Sequence, residues 1–288
     1  MKIGVFGNCQ AEGLAVSIRA WAPEAEVVVK SVIGLRLDDE AALATMRRDL
    51  LACDHVLMQT LEARRPQFQP FIDNVLGAAD GRALRWPVVI FNGFHPDSVY
   101  VTREGALIDG PLDQYHSALA VAAWQEGLDP VRALALFNAY AYACIGYFDA
   151  YAASLDYFRS PALVGYDLTD GISPTRPFMH TINHPKIEIS VEIARQALDR
   201  LGLARRSEID TPADPLASGA VWPLYPEIAE RLGIPSASET TDLAAIVAAE
   251  YRLLNITQGA NREALDVGGP VGASAIARAR AFIRAEVI

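Results

Sequence analysis

The chain has 288 residues, 51% of them hydrophobic and 21% charged, with 20 Gly and 17 Pro scattered along it. This composition excludes collagenous, low-complexity and disordered chains, and the length suits one large packed domain or two small ones. With 25 basic and 35 acidic residues the net charge is −10, so bulk charge gives no attraction to nucleic acid or an anionic membrane, and an anionic ligand must be held by a local basic cluster or by backbone donors.

The first hundred residues alternate strand-like and helix-like segments. Lys2–Phe6 is a short strand, and Ala11–Trp21 is a helix with Leu14, Ile18 and Trp21 on one face. Glu26–Val32 is a second strand, followed by a helix over Asp38–Leu51 for which Asp38 or Asp39 supplies the cap. Asp54–Gln59 is the third strand and Pro66–Ala79 the third helix. Pro87–Phe91 is expected as a fourth strand, because its Val-Val-Ile-Phe run lacks alternation, as in a strand buried on both faces. Such alternation predicts an α/β fold with a mainly parallel sheet covered by helices.

Beyond Asn92 the spacing turns helical over Asp113–Gln125 and Pro130–Phe158, with no comparable strand between them. The longest uncharged stretch, Ala133–Phe148, has 16 residues; a membrane span needs about 20, so it reads as a buried helix. Lys186–Leu203 is amphipathic, with Ile189, Ile193, Ala197, Leu198 and Leu201 on one face. Prolines at 212, 215, 223 and 226 make Asp210–Pro226 an irregular connector, and Thr241–Leu254 and Ala273–Val287 are helical again. The expected division is an α/β core at 1–112, a helical insertion at 113–175 and a mainly helical C-terminal part at 176–288.

Cys9, Cys53 and Cys144 are too few and too scattered for a disulfide framework, and no spacing suggests zinc. A reducing, cytoplasmic setting follows as the expectation, with no metal, no transmembrane segment and no signal peptide, since the apolar start reads as a strand. There is no GxGxxG after the first strand, no GxxxxGK[ST] and no GxSxG, which removes the main support for dinucleotide oxidoreductases, P-loop NTPases and conventional α/β-hydrolases.

Ligands of open parallel sheets bind beyond the carboxyl ends of the strands. Those positions here are Gly7-Asn8-Cys9-Gln10, Gln59-Thr60 and Asn92-Gly93-Phe94-His95-Pro96-Asp97. Cys9 stands at a strand-to-helix turn, where a helix N-terminus favours a thiolate, so it is the candidate nucleophile; a small packing residue is the alternative. Gly7 permits a tight turn, while the Asn8 and Gln10 amides offer donors for an oxyanion or a ligand carbonyl. His95, His180 and His184 are candidates for a base that meets Cys9 in space, with turn-stabilising hydrogen bonds as the alternative role. His55 and His116 are assigned to surfaces or helix ends, and Cys53 and Cys144 to packing.

With Gly7-Asn8-Cys9-Gln10, Phe91-Asn92-Gly93-Phe94-His95-Pro96-Asp97 and Asn183-His184-Pro185 in this order, the chain resembles the WcbI-type family of capsular polysaccharide biosynthesis enzymes over most of its first two hundred residues. That resemblance implies a Rossmann-like three-layer α/β sandwich with an additional helical region. It also implies binding of coenzyme A or acetyl-CoA and acetylation of a capsule sugar. A looser similarity of layout links the chain to SGNH or GDSL hydrolases, with Cys9 where those enzymes carry serine and Asn92 as oxyanion donor. Their Asp-x-x-His is missing at both His180 and His184.

The expected activity is therefore acyl transfer from an acyl-CoA donor to a sugar or glycan. Cys9 either accepts the acyl group or positions the thioester, and His95 or His184 deprotonates the hydroxyl. The ligand is expected to meet Gly7, Asn8, Gln10, Gln59, Thr60, Asn92, Gly93, Phe94, Asn183, Arg176 and Lys186. Arg64, Arg65 and Arg103 are further cations for its phosphates, and Tyr115, Tyr140, Tyr142, Tyr147, Tyr151 and Trp222 are candidates to stack on a sugar. A thioesterase or carbohydrate esterase using the same site, and a non-catalytic coenzyme- or glycan-binding protein, are the alternatives.

Overall fold

The computed structural model describes residues 1–61, 66–170, 172–235, 242–258 and 265–287. In chain order its elements are β1 (Lys2–Gly7), α1 (Gln10–Trp21), β2 (Glu26–Ser31), α2 (Glu40–Leu51), β3 (His55–Gln59), α3 (Gln69–Ala78) and β4 (Ala83–Trp86). Then come β5 (Ser98–Arg103), β6 (Ala106–Leu107), β7 (Tyr115–Ser117), α4 (Ala118–Gln125), α5 (Pro130–Leu134), α6 (Ala139–Ile145) and α7 (Ala150–Phe158). The last are α8 (Ile187–Arg200), α9 (Pro226–Leu232), α10 (Leu243–Gln258), β8 (Asp266–Gly268) and α11 (Gly269–Glu286).

These elements form two compact units. The first holds Met1–Ile90, Asp156–Ile172 and Phe178–Gly219; the second holds Phe91–Leu155, Ser173–Pro177 and Ala220–Ile288. The chain thus leaves the first unit at residue 90 rather than 112, and each unit draws on distant segments, unlike the three consecutive blocks read from the sequence.

The first unit is a Rossmann-like α/β sandwich. Its four strands are parallel, in the order β2-β1-β3-β4. Phe6, Val56 and Met58 bury one face of the sheet against Leu50 of α2 and Ile72 and Val75 of α3. By alternation Ile3 and Val5 face the other way, and α1 and α8 pack together, with the Trp21 indole donating to the Val191 carbonyl at 3.0 Å. Gly13 sits where a Cβ would lie 2.9 Å from Ser190 Oγ, so its missing side chain allows the close α1–α8 approach. Asp39, not Asp38, caps α2, accepting from the Ala42 N–H. Because β2 and β3 lie on opposite sides of β1, the carboxyl ends of β1 and β3 form the switch point at which such sheets open a ligand crevice.

The expected fourth strand at Pro87–Phe91 is displaced to Ala83–Trp86. Val88 and Val89 are buried, yet their polar backbone groups are satisfied by side chains instead of a ladder. The Val88 N–H donates to Thr60 Oγ1 at 3.2 Å and the Val88 carbonyl accepts from the Tyr157 hydroxyl at 2.6 Å. Gln10 serves Val89 in both directions. A buried apolar run needs its hydrogen bonds met, and nothing in the run itself dictates that a strand does so.

The second unit contains strands, one of which, β7, stands where Asp113–Gln125 is expected to be helical. β5 pairs antiparallel with β6, β7 and β8, and Val99 and Val101 join Trp124, Ile145, Tyr251, Leu254 and Ile283 in its core. The long helix expected over Pro130–Phe158 is cut into three. Asp129 caps α5, Asn138 caps α6, and Gly146 at φ +81° ends α6 in the left-handed conformation. Helical spacing of apolar residues does not register such caps, which are local hydrogen-bond events. His116, expected at a surface or helix end, is fully buried and paired with Glu250 at 2.7 Å. Cys144, expected to pack, is exposed, whereas Cys53 is buried and burial pushes its thiol pKa up.

Candidate functional site

The first unit builds its site around the turn between β1 and α1. Gly7 ends β1 where a Cβ would lie 2.7 Å from Trp86 Cζ2 and 2.8 Å from Gln59 Oε1; only glycine lets this backbone run so close to the ends of β3 and β4. The Asn8 N–H donates to Gln59 Oε1 at 2.8 Å. Asn8 Oδ1 then accepts from the Gln10 N–H at 2.9 Å, while its carbonyl accepts from the Ala11 N–H at 3.0 Å. This Asx turn starts the helix, and it leaves Nδ2 as the remaining hydrogen-bonding group of the Asn8 side chain.

Cys9 occupies the N-cap of α1 at φ −54° and ψ −23°, and its side chain makes no capping bond. The helix start is satisfied by Asn8, so the sulfur is spared the role that a Ser or Asp N-cap usually fills. It is half-buried, at the positive end of a twelve-residue helix, where an anion is favoured.

Gln10, expected as a donor for an oxyanion or a ligand carbonyl, has another task in the structure. Its Nε2 donates to the Val89 carbonyl at 2.8 Å and the Asn183 carbonyl at 2.7 Å. Its Oε1 accepts from the Val89 N–H at 2.9 Å and from Gln59 Nε2 at 3.1 Å. Both amide hydrogens are spent, and the residue is 1% exposed. Gln10 is a brace that ties the turn to the 87–91 run and to the loop before α8.

That loop carries the histidines. The His180 N–H donates to the His184 carbonyl at 2.7 Å and the Lys186 N–H to the Phe178 carbonyl at 2.8 Å, closing a narrow hairpin with a Met179–Pro185 bridge at its neck. Cys9 and His184 are the chain neighbours of the two ends of the Gln10–Asn183 bond, so the brace brings the Cys9 turn and a candidate base to the same end of the sheet. His184 is half-buried, and its Nδ1 lies 4.0 Å from where a Cβ on Gly219 would sit.

Asp214 is the residue that sequence reasoning missed. Its Oδ2 lies 2.8 Å from His180 Nε2 and accepts from the Ile187 N–H at 3.2 Å, and its Oδ1 accepts from the Leu216 N–H at 2.9 Å. One carboxylate thereby joins the histidine loop, the start of α8 and the proline-rich connector. Its position just before Pro215 was the available signal, since Asp in such a setting favours an Asx-type turn.

Thr60 and Gln59, both buried, complete this set, and Lys186 stands half-buried at the N-cap of α8. Asn92, Gly93, Phe94, His95 and Arg176 belong to the second unit. There the Asn92 N–H donates to Ser154 Oγ at 3.2 Å and its carbonyl accepts from the His95 N–H at 3.1 Å. Phe94 is wholly buried between Phe91 and Tyr151, and a Cβ on Gly93 would come within 2.7 Å of the Tyr151 Cα. The 92–95 turn is thus fixed by aromatic packing. Arg176 is exposed, while Arg103 donates to the Thr257 carbonyl at 2.8 Å. Arg64 and Arg65 lie outside the described residues.

A family model described as polysaccharide biosynthesis enzyme WcbI matches residues 2–206. The chain belongs to the WcbI family. No curated protein matches it. Its fold is that of a solved structure of WcbI, described as a novel polysaccharide biosynthesis enzyme, in the native form without a disulfide between coenzyme A and a cysteine of that protein. The two share 18% identity with a TM-score of 0.63, over 96% of this chain and 98% of the other. The expected family and Rossmann-like α/β class are thereby established. The match covers the β1–α1 turn, the 87–97 segment and the histidine loop. Among the described residues no helix is long and apolar enough to cross a membrane, and no group of three or more His, Cys, Asp or Glu is placed to hold a metal ion.

Proposed function

We propose that this WcbI-family chain is a coenzyme A-dependent acyltransferase that passes an acyl group, acetyl in the simplest case, from an acyl-CoA thioester to a sugar hydroxyl. The observation that carries this reading is the Cys9 turn: a half-buried thiol at a helix N-terminus and a sheet switch point, held by Gln59 and Gln10 and spared any capping duty. The solved relative is described as the native protein without a disulfide between coenzyme A and one of its cysteines; that such a bond is in question there supports placing the coenzyme's sulfur near such a thiol.

Two routes use these residues. In one, Cys9 Sγ attacks the thioester carbonyl and the coenzyme leaves as its thiol; the sugar hydroxyl, deprotonated by histidine, then displaces Cys9. In the other, the hydroxyl attacks the thioester directly and Cys9 orients it. Asn8 Nδ2 is the proposed donor to the carbonyl oxygen, His184 the base, and Lys186 a cation for the coenzyme's phosphates.

Titration calorimetry with coenzyme A, with ATP and NAD as controls, tests the donor. Micromolar binding, about tenfold tighter than the adenine nucleotides and so about 1.4 kcal/mol more favourable, is the expected result. Cys9→Ala is expected to retain binding and lose transfer. Full activity in that variant would overturn the role of Cys9, and hydrolysis of acetyl-CoA with no sugar product would shift the reading to an esterase. No coenzyme binding would remove it.

A further inference from the structure

The second unit contains a closed ring of four links that passes through His95. Asp97 follows His95 by two residues and is completely buried. Its Oδ2 accepts from the Tyr225 hydroxyl at 2.5 Å, Tyr225 follows Pro223 by two residues, and the Pro223 carbonyl lies 3.4 Å from His95 Nδ1. The ring is anchored elsewhere too: Asp97 Oδ1 accepts from the Tyr147 hydroxyl at 2.6 Å and from the Leu119 N–H at 2.8 Å. The Tyr225 ring stacks on Tyr142 at 5.7 Å and 19°. The Ser117 side chain joins the two tyrosine hydroxyls and the Leu119 N–H in bonding this carboxylate, an arrangement that suits the anion even though burial pushes the Asp97 pKa up.

A backbone carbonyl has lone pairs and no proton, so the nitrogen that bonds it must carry the hydrogen. We propose that Asp97 and Tyr225 are positioning residues which, by fixing the Pro223 carbonyl against His95, hold this histidine as its Nδ1–H tautomer and make Nε2 the basic nitrogen. Tautomer control of this kind decides which nitrogen can take a proton from a substrate. The tautomer does not depend on the acyltransferase reading.

Long-range proton–nitrogen correlation spectra of the full chain, with the His95 signals assigned by their loss in His95→Gln, test the proposal directly. In the unmodified protein, Nδ1 of His95 is expected to resonate as a protonated, pyrrole-type nitrogen and Nε2 as a pyridine-type nitrogen. Tyr225→Phe keeps the stacked ring and removes one hydroxyl, and it is expected to shift both signals toward their averaged positions. A pyridine-type Nδ1 in the unmodified protein overturns the proposal without any variant. Unchanged His95 signals in a folded Tyr225→Phe protein overturn the part assigned to Asp97 and Tyr225. Should the protein not bind coenzyme A, the spectra still decide the tautomer, so the two readings fail separately.

Discussion

Replacing Gln10 with Met keeps the length and flexibility of the side chain while deleting its hydrogen bonds. Four are lost: to the Val89 N–H and carbonyl, to the Asn183 carbonyl and to Gln59 Nε2. All lie at a side chain that is 1% exposed. A buried polar group left without a partner costs about 1–3 kcal/mol. Local relaxation recovers some of these bonds, so the expected loss in chemical denaturation is about 3–6 kcal/mol. Gln59 also holds the Asn8 N–H, hence the damage reaches the Cys9 turn. Modification of Cys9 by a thiol reagent, followed in native buffer, is expected to accelerate as that turn loosens. A Gln10→Met protein within about 1 kcal/mol of the parent, with unchanged Cys9 reactivity, would refute the idea that Gln10 braces the site.

Gly7→Ala pushes a methyl against Trp86 and Gln59, and overpacking of this kind is expected to cost about 1–3 kcal/mol in the same denaturation assay. Asp214→Asn places an amide opposite His180 and the Ile187 N–H. It is expected to destabilise the chain by about 1–3 kcal/mol and to speed hydrogen exchange at the His180 and Lys186 amides, which close the loop; unchanged exchange there would show that the carboxylate does not hold the loop. For His116, burial opposes the charged ring, but Glu250 outweighs it and the pKa is raised above 6.5. The stabilisation from that pair is therefore complete below pH 6.5 and lost as pH rises through the higher folded value. Comparing the parent with His116→Gln, a cost of about 3–5 kcal/mol is expected at low pH, shrinking toward alkaline pH; a cost that grows with pH would contradict the sign.

Composition and local periodicity were sufficient for the α/β half of the molecule. A strand such as Lys2–Gly7, and helices such as α1 and α8, announce themselves because each buries a regular stripe or run of apolar residues. The same logic located the polar turn at Gly7-Asn8-Cys9-Gln10, since it interrupts the pattern at a strand end. The short caps inside Pro130–Phe158 and the β5 sheet were harder to read. A two-residue strand such as β6 carries almost no pattern, and β8 reaches β5 from more than 160 residues away. Only tertiary structure could decide that Gln10 is a brace, that Asp214 meets His180, and that Tyr225 meets Asp97. Each of these bonds joins residues far apart in the chain, and a side chain's donors are allotted by what the fold brings within about 3 Å of them, which sequence spacing does not encode.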